Sequence, residues 1–288
     1  MLAKIRAFLE LIKFEHTIFA LPFAYLGMVL AARGWPGWEK AFWITVAMVA
    51  ARTIAMAFNR LADLKYDAQN PRTAQRPLVT GQIAPGTAWA GILVAVLVLV
   101  LAAWRLGPLP LRLLPGALLA LFGYSFTKRF TWLSHGILGM TDGLAPLGAW
   151  VAVRGTLFGA ADLPAWWLWL AVTFWIGGFD IIYACQDVDF DRAARLYAIP
   201  ARFGVATALR LAAIAHLLFF IPLVGLGLSA GLGLSYFLGL LPIAGLLAYE
   251  HAIISPDDLS RVNVAFFNVN SIISIVFLAD ILLALALS

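Results

Sequence analysis

Cysteine is almost absent. Cys185 is the only one in 288 residues, so no disulfide within the chain and no multi-thiolate metal site organises the fold, and any metal is expected on oxygen ligands. Charge is scarce as well. Asp, Glu, Lys and Arg make up 12% of the chain against 63% hydrophobic residues, far from the balance of a soluble domain. Repeated apolar runs of roughly 20 residues point instead to a bilayer as solvent. The formal charge of +5 is not gathered into a basic stripe, which argues against nucleic acid as a partner; the basic residues fall in short segments between apolar runs, as at membrane boundaries. Residues Met1 to Glu10 mix charges in an amphipathic pattern without a small-residue cleavage site, so they are not read as a removable signal peptide.

What the chain has in quantity is apolar segments, at 12–32, 41–62, 87–106, 109–127, 134–154, 164–185, 205–228, 233–252 and 265–287. They predict an all-α integral membrane protein, nine transmembrane helices in one domain over 1–288. The corner Gly107-Pro108-Leu109-Pro110 decides the parity of everything downstream, because one broken segment there instead of two helices would invert the rest. Charge supports two helices. With the amino terminus in the cytoplasm, Arg33, Lys40, Arg105, Arg112 and Arg154 fall outside and Arg52 falls within a span, leaving fourteen of the 20 Lys and Arg on the inner face. The expected location is the inner membrane, with the long polar connections on the cytoplasmic side.

Two of those connections, Asp63 to Gly86 and Gln186 to Gly204, share an order: aspartates four apart, then arginines, then a proline. Each follows a span ending on the same face, which suggests a faint parallel repeat. In the first, Asn59, Asp63 and Asp67 form an oxygen ladder along one helical face, with Arg52 nearly in line; in the second, Tyr183, Asp187 and Asp191 repeat the spacing and Asp189 turns away. Unpaired carboxylates so near hydrocarbon would be costly, so a cation is expected among them. Mg²⁺ suits these hard oxygens, with water and phosphate completing its shell. Arg72 and Arg76 beyond one cluster, and Arg192, Arg195 and Arg202 beyond the other, suit the remaining phosphate charge. Together these describe a site that ionises a diphosphate in a dry pocket, where Phe58, Tyr66, Tyr124, Phe179 and Tyr183 are candidates to shield a carbocation.

These motifs, Asn59-x3-Asp63-x3-Asp67 with Arg72-Thr73-x-x-Arg76-Pro77, and Tyr183-x3-Asp187-x3-Asp191 with Ile199-Pro200-x-Arg202-Phe203-Gly204, resemble the two signature regions of the UbiA superfamily of membrane prenyltransferases. The likeness extends to Phe14-Glu15-His16-Thr17 and to Tyr124-Ser125-Phe126-Thr127-Lys128-Arg129. It is greatest to 4-hydroxybenzoate polyprenyltransferases and to relatives acting on dihydroxynaphthoate in the futalosine route to menaquinone. The resemblance implies a helical bundle around a central cavity open to lipid, and transfer of a polyprenyl group from its diphosphate to an aromatic acid. Asn59, Asp63, Asp67, Asp187 and Asp191 would hold two Mg²⁺ ions, the four aspartates being the catalytic set. It further implies that Lys128 and Arg129 lie near the diphosphate or the acceptor carboxylate, with Arg52 a further anchor for that carboxylate. The chain departs from the pattern at Glu15-His16, where members acting on 4-hydroxybenzoate often carry Asp-Lys, and this leaves the acceptor open.

Other residues carry weaker readings. His16 is a candidate for acceptor binding or a packing histidine, and Asp191 a carboxylate suited to remove the ring proton. Asp142 and Asp180 are intramembrane carboxylates and so functional candidates; Glu250 and Asp280 read as pairing residues, His135 and His251 as interface residues. The rival class is a secondary transporter, whose carboxylates belong near the bilayer midplane and not at one face.

Overall fold

The computed structural model describes residues 2–287, apart from the side chains of residues 2–5 and 14–19. Its helices are α1 (Leu2–Leu11), α2 (Phe14–Ala32), α3 (Trp38–Ala62), α4 (Leu64–Asp67), α5 (Pro85–Leu106), α6 (Pro108–Thr127), α7 (Ser134–Asp142), α8 (Leu144–Arg154), α9 (Leu163–Ala184), α10 (Val188–Ala193), α11 (Ile199–Phe203), α12 (Val205–Leu218), α13 (Phe220–Ala230), α14 (Leu234–Ala252) and α15 (Asn270–Leu287). A π-helical turn, Val264–Val269, leads into α15.

Among the described residues, seven helical columns are long and apolar enough to cross a membrane: α3, α5, α6, Ser134–Arg154, Ala160–Ala193, Val205–Ala230 and Val264–Leu287. Of the nine expected segments, the two others are α2, whose apolar stretch is the shorter Ala20–Ala32, and α14, whose last turn is Tyr249-Glu250-His251-Ala252. The corner after α5 is made by two separate helices. Gly107 adopts φ 128°, a conformation open to glycine, and Pro108 occupies the first turn of α6, where its missing N–H costs nothing. The amphipathic α1 buries Ala7 and Leu11 against Leu78, Ile83 and Ala88.

The helices close into a ring: α3 packs on α5, α6 and α2; α2 on α8 and α15; α15 on α14; α9 on α7, α12 and α13; and α6 returns to α7. One apolar core joins α2, α8, α9, α13, α14 and α15, while a second joins α3, α5 and α6. Between them lies a cavity of about 870 Å³. The α7–α8 column presents one face to it along its length, through Ser134, His135, Leu138, Thr141, Asp142, Ala145 and Gly148. Polar residues line one half of that face and small apolar ones the other. Close packing of α7 on α9 fixes the wall, since a Cβ at Gly139 would stand 2.3 Å from the Thr173 carbonyl oxygen.

Candidate active site

Both acidic segments are helix ends that break at their middle carboxylate. In the first, α3 stops at Ala62, Asp63 forms the joint at φ −94° and ψ 5°, and α4 runs on to Asp67. In the second, a 3-10 turn over Cys185–Asp187 ends α9, and α10 resumes at Val188. At Asp63 the helical bonding nevertheless runs on, Asp63 N–H to the Asn59 carbonyl at 2.9 Å and Asp67 N–H to the Asp63 carbonyl at 2.8 Å, and Asn59, Asp63, Asp67, Asp187 and Asp191 all line the cavity. Asp189 is exposed and Asp191 buried, as the facing predicted.

The two segments touch. Asn70 Nδ2 donates to Asp187 Oδ1 at 2.8 Å, and Arg72 grips the same carboxylate through Nε at 2.8 Å and Nη2 at 2.5 Å. Arg72 Nη1 also donates to the Tyr183 hydroxyl at 3.0 Å. Burial opposes the charge on Arg72, but its bonds to Asp187 and Tyr183 outweigh that and raise its pKa above the ordinary value. Arg76 Nη1 reaches both oxygens of Asp67, at 2.7 and 2.6 Å. Asp63 is held by Asn59 at 3.2 Å, Arg129 at 3.2 Å and Lys128 at 3.7 Å. Each of these three carboxylates thus has a cation against it, as burial near hydrocarbon requires.

Deeper in the cavity, Arg52 precedes Asn59 by seven residues, two helical turns or roughly 10 Å. Its side chain lines the wall, and its Nε is buried with no hydrogen-bond partner among the described residues. Such an orphaned donor invites an anionic ligand. Asp142 and Asp180 line the same depth, and the Tyr124 hydroxyl donates to the Ala55 carbonyl at 3.1 Å. Phe179, Tyr183, Phe266 and Phe267 form an aromatic side, with the Tyr183 and Phe266 rings 4.1 Å apart at an angle of 34°. Two of these, Phe266 and Phe267, sit on the π turn, a widening of the helix common at functional sites.

A charged mouth, an orphaned arginine below it and an aromatic side wall suit a molecule with a polyanionic head and a long apolar body. The sequence model of the UbiA prenyltransferase family matches residues 20–272. The chain belongs to that family. A 4-hydroxybenzoate octaprenyltransferase of Pseudoalteromonas translucida is 32% identical over 218 residues, 74% of this chain and 73% of that one. Among solved structures, the apo form of a UbiA homolog from Aeropyrum pernix K1 superposes with a TM-score of 0.82 at 34% identity, covering 93% of this chain and 98% of the other. A UbiA homolog from Archaeoglobus fulgidus bound to GPP and Mg²⁺ shares the fold at a TM-score of 0.74 and 20% identity, over 97% of this chain and 99% of the other.

In this UbiA-family chain, the cavity gathers Arg52, Asn59, Asp63, Asp67, Arg72, Arg76, Tyr124, Lys128, Tyr183, Asp187 and Asp191. It does not gather every residue singled out in the sequence. Arg129 is absent from the wall, its Nη2 donating to the Ala62 carbonyl and Asp63. Arg192 donates to the Ala201 carbonyl, and Arg202 lies over the Phe203 ring, both exposed and off the wall. Phe58 packs among Trp89, Phe122 and Phe126 and not into the cavity. The His16 side chain lies outside the described residues. Some wall residues escaped the sequence reading, Phe266 and Phe267 of the aromatic side among them. Asn70 gave no signal, whereas His135, read as an interface residue, stands seven positions before Asp142 and so on its face of the helix.

Proposed function

We propose that this chain is a Mg²⁺-dependent aromatic polyprenyltransferase, moving a polyprenyl group from its diphosphate to an aromatic acid of the 4-hydroxybenzoate type and releasing diphosphate. The observation that carries this reading is the contact between the two acidic segments, Asn70 and Arg72 against Asp187, at one end of one cavity. A transporter reading needs its carboxylates spread at mid-depth, and here the paired ones crowd the mouth.

The donor set fits a hard cation. Among the described residues no three His, Cys, Asp or Glu side chains form a closed cage, and Mg²⁺ asks for one or two carboxylates with water and phosphate oxygens completing its shell. Asn59, Asp63 and Asp67 would hold one ion, Asp187 and Asp191 a second. When bound, Mg²⁺ neutralises charge on the departing diphosphate. Arg72, Arg76 and Lys128 take the remaining phosphate charge as they release their carboxylates. Tyr124 and Tyr183 face the allylic carbon and shield it from water. Arg52 holds the acceptor carboxylate two turns deeper. The acceptor is 4-hydroxybenzoate or a dihydroxynaphthoate, placing the reaction in quinone biosynthesis. The Lys and Arg bias supports a mouth on the cytoplasmic side of the inner membrane.

The test is direct. Purified protein is incubated with Mg²⁺, geranyl diphosphate and a panel of aromatic acids, and products are identified by mass. A prenylated acid is the expected result. Uptake of a substrate into vesicles without any covalent product would overturn it.

A further inference from the structure

Aromatic prenylation also needs a base for the ring proton. The carboxylates at the mouth are poorly placed for this: Asp63, Asp67 and Asp187 are held by cations, and Asp191 lines the cavity four residues beyond Asp187, at the same diphosphate end. Protonating any of them would strip charge from the diphosphate end. Deeper down, Asp142 lines the wall with no hydrogen bond to fix its carboxylate among the described residues. Asp180 differs from all of these, because its protein partner is a histidine with a fixed proton.

The close approach of α7 to α9 sets His135 beside Asp180, with Nδ1 2.6 Å from Oδ2. On the other side of the ring, the Ile199 amide donates to His135 Nε2 at 3.2 Å. An amide N–H only donates, so Nε2 presents its lone pair and the ring proton sits on Nδ1, directed at Asp180. Ile199 opens α11, and Ala198 before it has no side-chain cap, so His135 also satisfies a helix N–H that would otherwise be orphaned. The histidine is 4% exposed and anchored from both sides. Asp180 thereby has one oxygen fixed, and its side chain is 24% exposed in a cavity whose wall it forms.

Depth agrees with this role. Asp180 precedes Asp187 by seven residues, as Arg52 precedes Asn59. The two therefore lie about two turns, roughly 10 Å, below the mouth, one on α9 and the other on α3. An acid whose carboxylate rests on Arg52 has its ring at that level.

We propose that Asp180 is the catalytic base for the acceptor ring and that His135 is the positioning residue that aims it. This rests on the prenyltransferase reading. The allylic C–O bond breaks with its electron pair leaving on diphosphate, and a ring π pair forms the new C–C bond. The proton on that ring carbon then passes to the free Asp180 oxygen, its C–H pair restores aromaticity, and the proton later leaves to water through the mouth.

Asp180→Asn keeps the size of the side chain and an oxygen to accept the His135 bond. Its kcat falls about 100-fold or more, in the range for loss of a general base, while the KM for geranyl diphosphate stays within about twofold. Acceptor deuterated at the attacked ring position then shows a primary isotope effect that the wild type lacks, because proton removal has become limiting. In Asp180→Ala, added formate restores part of the rate. His135→Gln, which can both donate to Asp180 and accept from Ile199, recovers most of the activity that His135→Ala loses. Turnover of Asp180→Asn within about threefold of wild type, or a loss with neither isotope effect nor formate rescue, overturns the assignment; equal losses in the two His135 variants remove the positioning role. A wild type that makes no product with any acid sinks the prenyltransferase reading itself, a result distinct from an active Asp180→Asn.

Discussion

Arg52→Met is the most informative single change. The guanidinium is buried in the cavity wall with Nε unpartnered among the described residues, so the acid's carboxylate is the natural complement of its charge. A hydrogen bond to a charged group contributes about 1.5–3 kcal/mol, which corresponds to a loss of about 10- to 150-fold in kcat/KM. The loss falls on the acid and not on the donor, because Arg52 lies two turns from the mouth. The assay compares 4-hydroxybenzoate with its uncharged amide at fixed geranyl diphosphate. Wild-type protein prefers the acid, and Arg52→Met brings the two acceptors to within a few-fold of each other. Removing the cation leaves Asp142 without its neighbouring positive charge, and a stranded buried charge would by itself destabilise the helix pair. Arg52→Met with Asp142→Asn controls for that. If acid and amide lose rate by the same factor in both variants, Arg52 does not bind the carboxylate and the depth assigned to the acceptor is wrong.

Asp63→Asn and Asp187→Asn are expected to abolish transfer, and the thermal midpoint falls as well because each change leaves a partly buried cation without its carboxylate; full activity in either, measured with excess Mg²⁺, rejects the metal assignment. Mg²⁺ and inorganic diphosphate should each bind more tightly in the presence of the other by calorimetry, and independent affinities would rule out a shared site. Gly139→Ala pushes α7 off α9, because its Cβ would meet the Thr173 carbonyl oxygen at 2.3 Å; overpacking of this kind costs about 1–3 kcal/mol. The thermal midpoint falls and prenyl transfer falls with it, whereas an unchanged midpoint would show that the two helices are free to part.

Hydropathy alone carried the fold a long way, because a helix in hydrocarbon satisfies its own backbone and so writes itself into the sequence as an apolar run. The proline and glycine at 107–108 marked a true corner. The acidic segments were legible for a similar reason: spacing of four is a local property of a helix face. Side-chain partners were not, because they depend on which helix closes on which. Arg129 follows Lys128 in sequence, yet Lys128 lines the cavity while Arg129 turns outward to the end of α3. Arg202 shares a motif with Pro200 but lies on the far side of α11, over Phe203. His135 could not be read as part of the site until α7 and α9 were seen to meet at Gly139, a contact that no periodicity announces.

The ion pairs at the mouth explain how so acidic a site is accommodated in a membrane protein. A bare cluster of carboxylates at this depth would repel itself, and each buried charge would cost several kcal/mol if left unpaired. Arg76 on Asp67, Arg72 on Asp187, and Lys128 with Arg129 on Asp63 remove that cost. The same pairing sets the terms of binding. A divalent cation arriving alone must draw carboxylates away from their arginines and strand those cations, and a diphosphate arriving alone must draw arginines away and strand the carboxylates. Arriving together, they give each side a new partner, so the exchange leaves no buried charge uncompensated. The pairing of aspartates with Arg72, Arg76 and Lys128 is, on the proposed reading, one device with two uses: it holds the mouth together, and it would favour a metal-bearing diphosphate over either component.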